Sequence, residues 1–143
     1  ITCDDIDGEA LNTKKLPRPK CLPIDKSGKM VKVPLIALAW GRSGDKGDTC
    51  NVGVLARSPE IYDWLRETLT EDVVKRFFKG IVHGEVTRHE LDNLLALNFL
   101  LEQALGGGGT VSLMLDPQGK TLSHALLEMV VDAPVEIIPR AAG

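Results

Sequence analysis

The chain has 143 residues, a length that suits one domain with a real buried core. Charged side chains make up 26% of it and no apolar run is long enough to span a membrane, so a membrane-embedded protein is not expected. The net charge of −3, with no basic stripe, argues against nucleic acid as a partner. The first residues lack a signal-peptide pattern, so we expect a cytoplasmic or organellar-matrix location.

Residues 1–33 contain several prolines and lysines and no periodic apolar pattern. They are predicted to form an arm or linker, followed by a folded domain at residues 34–139. The sequence begins with Ile1 and not with Met, which suggests a piece of a longer protein or a processed product. The odd number of cysteines, Cys3, Cys21 and Cys50, favours reduced thiols over a disulfide framework or a structural zinc site.

The predicted elements alternate between strands and helices. Ser58 and Thr70 are good N-caps for two helices, with a proline directly after Ser58. Apolar residues at helical spacing predict the longest helix over 91–105, ended by Gly106. The other predicted elements are strands at 35–40, 51–56, 81–88 and 110–115, a turn at 116–119, a helix at 121–127 and an extended segment at 129–138 broken by Pro134. This order predicts an α+β sandwich, best described as ferredoxin-like, with a mixed or antiparallel sheet and helices on one face.

The stretch between the first two predicted strands is the strongest candidate for chemistry. It is read as a polar loop at 41–51, longer than a plain hairpin turn requires. Three interpretations remain open: an anion nest built from backbone amides with Arg42 and Lys46, a hard-cation site at Asp45 and Asp48, or a loop that satisfies its own polar groups. The candidate ligand-binding residues are Arg42, Ser43, Gly44, Asp45, Lys46, Gly47, Asp48 and Asn51.

A second group of candidates lies further along the chain. Four glycines follow the predicted long helix, more than a helix C-cap needs. They indicate either a close approach of the backbone to another chain, a ligand or a strand edge, or a flexible turn. Asn98 is a polar residue on an otherwise apolar predicted face. The second-site candidates are Asn98, Gly107, Gly108, Asp116 and Lys120. No dinucleotide or phosphate-loop motif is present, so the sequence assigns no cofactor, and no catalytic residue is assigned.

The segment Ala39-Trp40-Gly41-Arg42-Ser43-Gly44-Asp45-Lys46-Gly47-Asp48, followed by Asn51-Val52-Gly53-Val54 and Arg57, resembles the signature that opens the C-terminal domain of the acyclic terpene utilisation (AtuA-like) proteins. Later blocks around Leu97-Asn98-Phe99, Ala104 to Gly108, and Ser112 to Lys120 are similar to the same domain, so the likeness covers about residues 34–133. The resemblance implies a ferredoxin-like fold and a larger N-terminal domain, or a separate subunit carrying it, as a partner.

The resemblance also implies a role in the catabolism of acyclic terpenes through branched acyl-CoA intermediates, without naming a reaction. We therefore expect a ligand-binding or accessory domain that holds a small anion at 41–51. Two alternatives remain: one part of a composite hydrolase, lyase or hydratase site completed by another domain or subunit, with metal assistance at Asp45 or Asp48, and a module for homo-oligomerisation.

Overall fold

The computed structural model describes residues 28–139. Its strands and helices are β1 (Met30–Pro34), β2 (Ala39–Lys46), β3 (Thr49–Ala56), α1 (Pro59–Thr68), α2 (Glu71–Phe77), β4 (Val86–Leu91), β5 (Ala96–Leu101), α3 (Leu122–Leu127) and β6 (Val130–Pro134). Within this range no helix combines the length and the apolar character that crossing a bilayer requires.

The strands form two antiparallel sheets. The larger sheet has the order β2-β3-β5-β4, and the smaller one pairs β1 with β6. Because α1 and α3 pack on β3 and β2 while α2 packs near β4, the helices cover one face of the larger sheet. The α+β class predicted from the sequence is confirmed.

Strand β3 shows how the larger sheet separates its two faces. Cys50, Val52 and Val54 are buried against the helices, whereas the alternate residues Asn51 and Gly53 point to the other side. Successive side chains of a strand point to opposite faces, so this alternation follows from the strand geometry. We call the side of the four-stranded sheet that carries Asn51 and Gly53 the open face.

The two consecutive helices begin where the sequence predicts. The hydroxyl of Ser58 accepts a hydrogen bond from the amide of Ile61, and that of Thr70 accepts one from Val73. Each bond satisfies one of the amide groups that a helix leaves unpaired at its start. Helix α1 then buries Ile61 and Leu65, among others, in the core.

The prediction of a long polar loop at 41–51 is wrong, because most of this stretch belongs to strands β2 and β3. Strand β2 continues to Lys46, and β3 begins at Thr49, with Lys46 directly opposite Thr49. Only Gly47 and Asp48 form the turn. Gly47 has a φ of +69°, and a glycine with positive φ at the first central position is typical of a two-residue type II′ hairpin.

The long helix predicted at 91–105 is also wrong. Residues 96–101 form strand β5, which lies between β3 and β4 in the sheet. The leucines of this segment fit a period of 3.6, but Leu97, Phe99 and Leu101 also fit a period of two and face the core. The hairpin that connects β4 to β5 ends at Leu95, which has a left-handed φ of 51°.

Three smaller differences concern element boundaries. Residues 110–115, predicted as a strand, form turns and irregular structure, and the strand predicted at 81–88 is instead β4, which starts at Val86. In the range predicted as an arm, β1 begins at Met30, whereas residues 1–27 lie outside the described part. The predicted helix at 121–127 and the break at Pro134 correspond to α3 and to the end of β6.

Candidate functional site

Gly41, Gly44 and Gly47, in and directly after β2, each have a different structural role. A Cβ at Gly41 would lie 3.1 Å from Leu127 Cδ1 and 3.2 Å from Ser123 Cβ, so this glycine lets α3 pack closely on the sheet. Gly47 supplies the turn conformation. A Cβ at Gly44 would lie 3.2 Å from Lys120 Nζ, which means that the lysine ammonium lies over the bare backbone of β2.

Ser43 fixes the segment that carries this lysine. Its side chain faces the helices and is buried, and its hydroxyl donates to the carbonyl of Lys120 over 3.1 Å. The same oxygen accepts a hydrogen bond of 3.0 Å from the amide of Ser123 at the start of α3. Ser43 is therefore a positioning residue on the core side, and it brings Lys120 to β2.

The open face is organised in rows that cross the strands. Arg42, Gly53, Asn98 and His89 are successive partners across β2, β3, β5 and β4. The neighbouring row toward the β2–β3 turn contains Gly44 and Asn51. The row on the other side contains Trp40 and Leu55, followed by Ala96 and Leu91. One end of the face is thus polar and the other apolar.

A cleft of about 640 Å³ lies over these rows. It is lined by residues from β2, β3, β5, the β4–β5 hairpin and the segment before α3: Trp40, Gly41, Arg42, Ser43, Gly44, Asp45, Lys46, Asn51, Gly53, Leu55, Leu91, Leu94, Asn98 and Lys120. Its size is within the range of small-molecule sites.

The cleft has a positive balance in a chain whose net charge is −3. Arg42, Lys46 and Lys120 line it, and Asp45 is the single acidic residue among the lining residues. Within residues 28–139, none of the three cations takes part in a salt bridge. By contrast, Arg66 of α1 and Arg88 of β4 are both paired with Glu90. Within the described range, the three cleft cations thus have no salt bridge that would compete with a bound anion.

Asn51 adds an unsatisfied acceptor to the same place. Its Oδ1 atom is buried and has no hydrogen-bond partner in the part of the chain that the structure describes. Buried polar atoms are nearly always hydrogen-bonded, so this oxygen is a position for a ligand hydroxyl or N–H group, or for a water.

Asp48 and the glycine-rich segment form a structural unit next to the cleft. Asp48 Oδ1 accepts hydrogen bonds from the amides of Leu105 (3.2 Å) and Gly107 (2.7 Å). A Cβ at Gly108, which has a φ of +96°, would lie 3.0 Å from the carbonyl oxygen of Gly47. The backbone at Gly108 therefore lies close to the β2–β3 turn of the same chain.

Asp116 organises the turn before α3. Its two carboxylate oxygens accept hydrogen bonds from the amides of Lys120 (3.0 Å) and Thr121 (2.8 Å), and the Thr121 hydroxyl also donates to it. Desolvation raises the pKa of this carboxyl, but the hydrogen bonds from Thr121 and Lys120 outweigh it, so the pKa lies below its usual value. The carboxylate is already satisfied by its own turn.

Cys50 is a buried thiol on the helix side of the sheet. Burial raises its pKa to about 11, and its sulfur lies 3.6 Å from the carbonyl oxygen of Gly119. A Cβ at Gly119 would lie 2.6 Å from this sulfur, so a glycine is needed there. A thiol in this setting packs and is not a nucleophile at neutral pH.

The structure therefore divides the predicted site residues into two groups. The cleft is lined by Arg42, Ser43, Gly44, Asp45, Lys46, Asn51, Asn98 and Lys120. Asn98 and Lys120, which are second-site candidates in the sequence, thus belong to the same site as the candidates at 41–51. Gly47, Asp48, Gly107, Gly108 and Asp116 are outside its lining and make the contacts described above. In the described range, His, Cys, Asp and Glu side chains form no group of three or more that could hold a metal ion, including around Asp45 and Asp48.

The sequence-based reasoning missed the apolar part of the cleft. The predicted site does not contain Trp40, Leu55 and Leu94, because a loop at 41–51 and a helix at 91–105 would not bring them to one face of a sheet. A signal was present: Trp40, Arg42, Gly44 and Lys46 are alternate residues, as a strand requires for one face.

The segment that carries this fold and this cleft matches a known domain family. The profile of the AtuA ferredoxin-like domain family matches residues 33–132, which include β2 to β5, the cleft and α3. No curated protein and no solved structure matches the chain. The match covers well over half of the 143 residues. The chain belongs to the AtuA ferredoxin-like domain family.

Proposed function

We propose that this domain binds a small organic anion on the open face of its four-stranded sheet, as a ligand-binding or accessory domain in acyclic terpene or branched acyl-CoA catabolism. The metabolic setting rests on the resemblance to AtuA-like proteins. The binding role rests on one observation: Arg42, Lys46 and Lys120 border a cleft of suitable size without an ion pair among residues 28–139.

The positions of these three cations in the fold indicate a binding site and not an ordinary group of solvated surface charges. Arg42 and Lys46 come from one strand, whereas Lys120 comes from a distant segment that Ser43 ties to β2. Gly44 leaves space for the Lys120 ammonium above the sheet. Arginine and lysine make charge-assisted hydrogen bonds to carboxylates and phosphates, and such bonds are about twice as strong as neutral ones.

The shape of the site supports a partner that completes it. The sheet provides one wall, and large apolar side chains at the rim remain exposed, with Trp40 at 52% and Leu94 at 63%. We propose that the larger N-terminal AtuA domain, in the same chain or on a separate subunit, supplies the second wall. If the completed site is catalytic, the partner supplies further groups, because Asp45, the acidic residue of this lining, alternates with Arg42 along β2 and falls on the helix side with Ser43.

Isothermal titration calorimetry of the full chain with butyrate and with inorganic phosphate tests the binding role. Wild type should bind at least one of them, and added salt should weaken binding because these groups are exposed. Lys46→Gln and Arg42→Gln should each weaken it by about fivefold.

Lys79→Gln is the matched control, since Lys79 is also exposed and has no salt bridge in the described range. Its affinity should equal that of wild type. The proposal is contradicted if neither anion binds, or if Lys79→Gln weakens binding as much as Lys46→Gln does.

A further inference from the structure

The positive end of the cleft continues directly into an apolar surface. Trp40, Leu55, Leu91 and Leu94 line the same cleft, and each is more than two-fifths exposed. Exposed apolar side chains that occur singly need no explanation, but a group beside cations that have no salt bridge among residues 28–139 indicates a use.

The spacing between the two ends follows from the strand. Trp40 is two residues from Arg42 and four from Gly44, so the apolar row lies about 7 Å from the arginine row and about 13 Å from Gly44. Gly53 lies on β3 opposite Arg42, between the row of Trp40 and the row of Gly44. Its Cβ would meet Arg42 O and Asn98 Oδ1 only at 3.7 and 3.9 Å, so the bare backbone is not forced by internal packing and leaves a passage along the sheet.

We infer that the ligand of the open face is an amphiphilic anion, with its charged group at Arg42, Lys46 and Lys120 and a medium-length hydrocarbon chain over Trp40, Leu55 and Leu94. This inference rests on the proposed anion-binding role and specifies the ligand class. Burying one CH₂ group fully strengthens binding about fourfold, and burial on one side of an open cleft gives about half of that free energy, or about twofold per group.

The test compares straight-chain carboxylates from butyrate to octanoate by titration calorimetry of the full chain. Octanoate should bind about fifteenfold more tightly than butyrate, because its four additional methylene groups reach the apolar row and each strengthens binding about twofold. Octanamide, which has the same chain without the charge, should bind more weakly than octanoate.

Two matched variants locate the hydrocarbon chain. Leu94 and Val130 are exposed to almost the same degree, 63% and 61%, and Val130 lines a second, apolar cavity of about 220 Å³ between α1, α2 and β6. Leu94→Ser should remove most of the octanoate advantage, whereas Val130→Ser should leave it unchanged. Gly53→Val places a good strand former in the passage and should have the same effect as Leu94→Ser.

The outcomes separate the two proposals. Equal affinity for butyrate and octanoate overturns the amphiphilic ligand and leaves the anion site standing. An octanoate advantage that is lost in Val130→Ser and kept in Leu94→Ser overturns it as well, because the chain then occupies the second cavity. Absence of binding by every carboxylate and by phosphate overturns both.

Discussion

Replacing Asp48 should destabilise the fold without affecting a ligand. In Asp48→Ala, the amides of Leu105 and Gly107 lose their shared acceptor at 3.2 and 2.7 Å. A hydrogen bond to a charged group contributes about 1.5–3 kcal/mol when buried, and the Gly107 amide is exposed to water and contributes less. The loss in the free energy of unfolding should therefore be about 2 kcal/mol.

Asp48→Asn is the informative companion, because it keeps an oxygen acceptor and removes the charge. Neutral hydrogen bonds contribute about half as much, so its loss should be about 1 kcal/mol. Urea denaturation followed by circular dichroism measures both values. The reasoning is refuted if Asp48→Ala is as stable as wild type. It is also refuted if Mg²⁺ stabilises wild type and this effect disappears in Asp48→Asn, since Asp48 then binds metal.

The remaining expectations concern the same neighbourhood. Gly108→Ala should cost about 1–3 kcal/mol, because its φ is +96° and its Cβ would lie 3.0 Å from Gly47 O; an unchanged thermal midpoint would contradict this. The pKa of Asp116 is lowered below 3.8 in the fold, so its contribution to stability is present above that pH and is lost as pH falls through the lower folded value. The difference in thermal midpoint between wild type and Asp116→Ala should hence shrink between about pH 6 and about pH 3, and a constant difference would count against it. Cys50, with its pKa at about 11, should react slowly with iodoacetamide at neutral pH until the protein unfolds. Mass spectrometry measures the alkylation of Cys50, and rapid alkylation of the folded protein would contradict this expectation.

The starts of α1 and α2 were predictable because their signals are local. Ser58 and Thr70 each cap a helix through one side-chain hydrogen bond to the amide three residues on. Such a bond depends on a few adjacent residues and so can be read from the sequence alone.

The strands were harder, because their partners lie far along the chain. Leu97, Phe99 and Leu101 satisfy both a strand and a helix pattern, and only pairing with β3 and β4 selects the strand. Residues 110–115 show the opposite error, a predicted strand that does not form. They are predicted to form a strand, but in the described part of the chain they pair with no other strand, and Leu113 and Leu115 remain fully exposed.

The candidate site was predictable in its residues and not in its geometry. Glycines and charges at 41–48 suggested a loop, whereas their alternation places Arg42 and Ser43 on opposite faces of β2. The roles of Asp48 and Lys120 depend on contacts across 57 and 77 residues, as the Asp48–Leu105 and Ser43–Lys120 hydrogen bonds show. No local pattern in the sequence encodes such contacts.

Chemical-shift mapping by NMR with butyrate tests the anion site most directly, because it reports where on the full chain the ligand lies. The account predicts that the largest changes occur at the amides of residues 41–46, 51–55, 96–98 and 120, which carry the open face and its cations. Changes confined to 111–115 or to the cavity beneath β6 would contradict it.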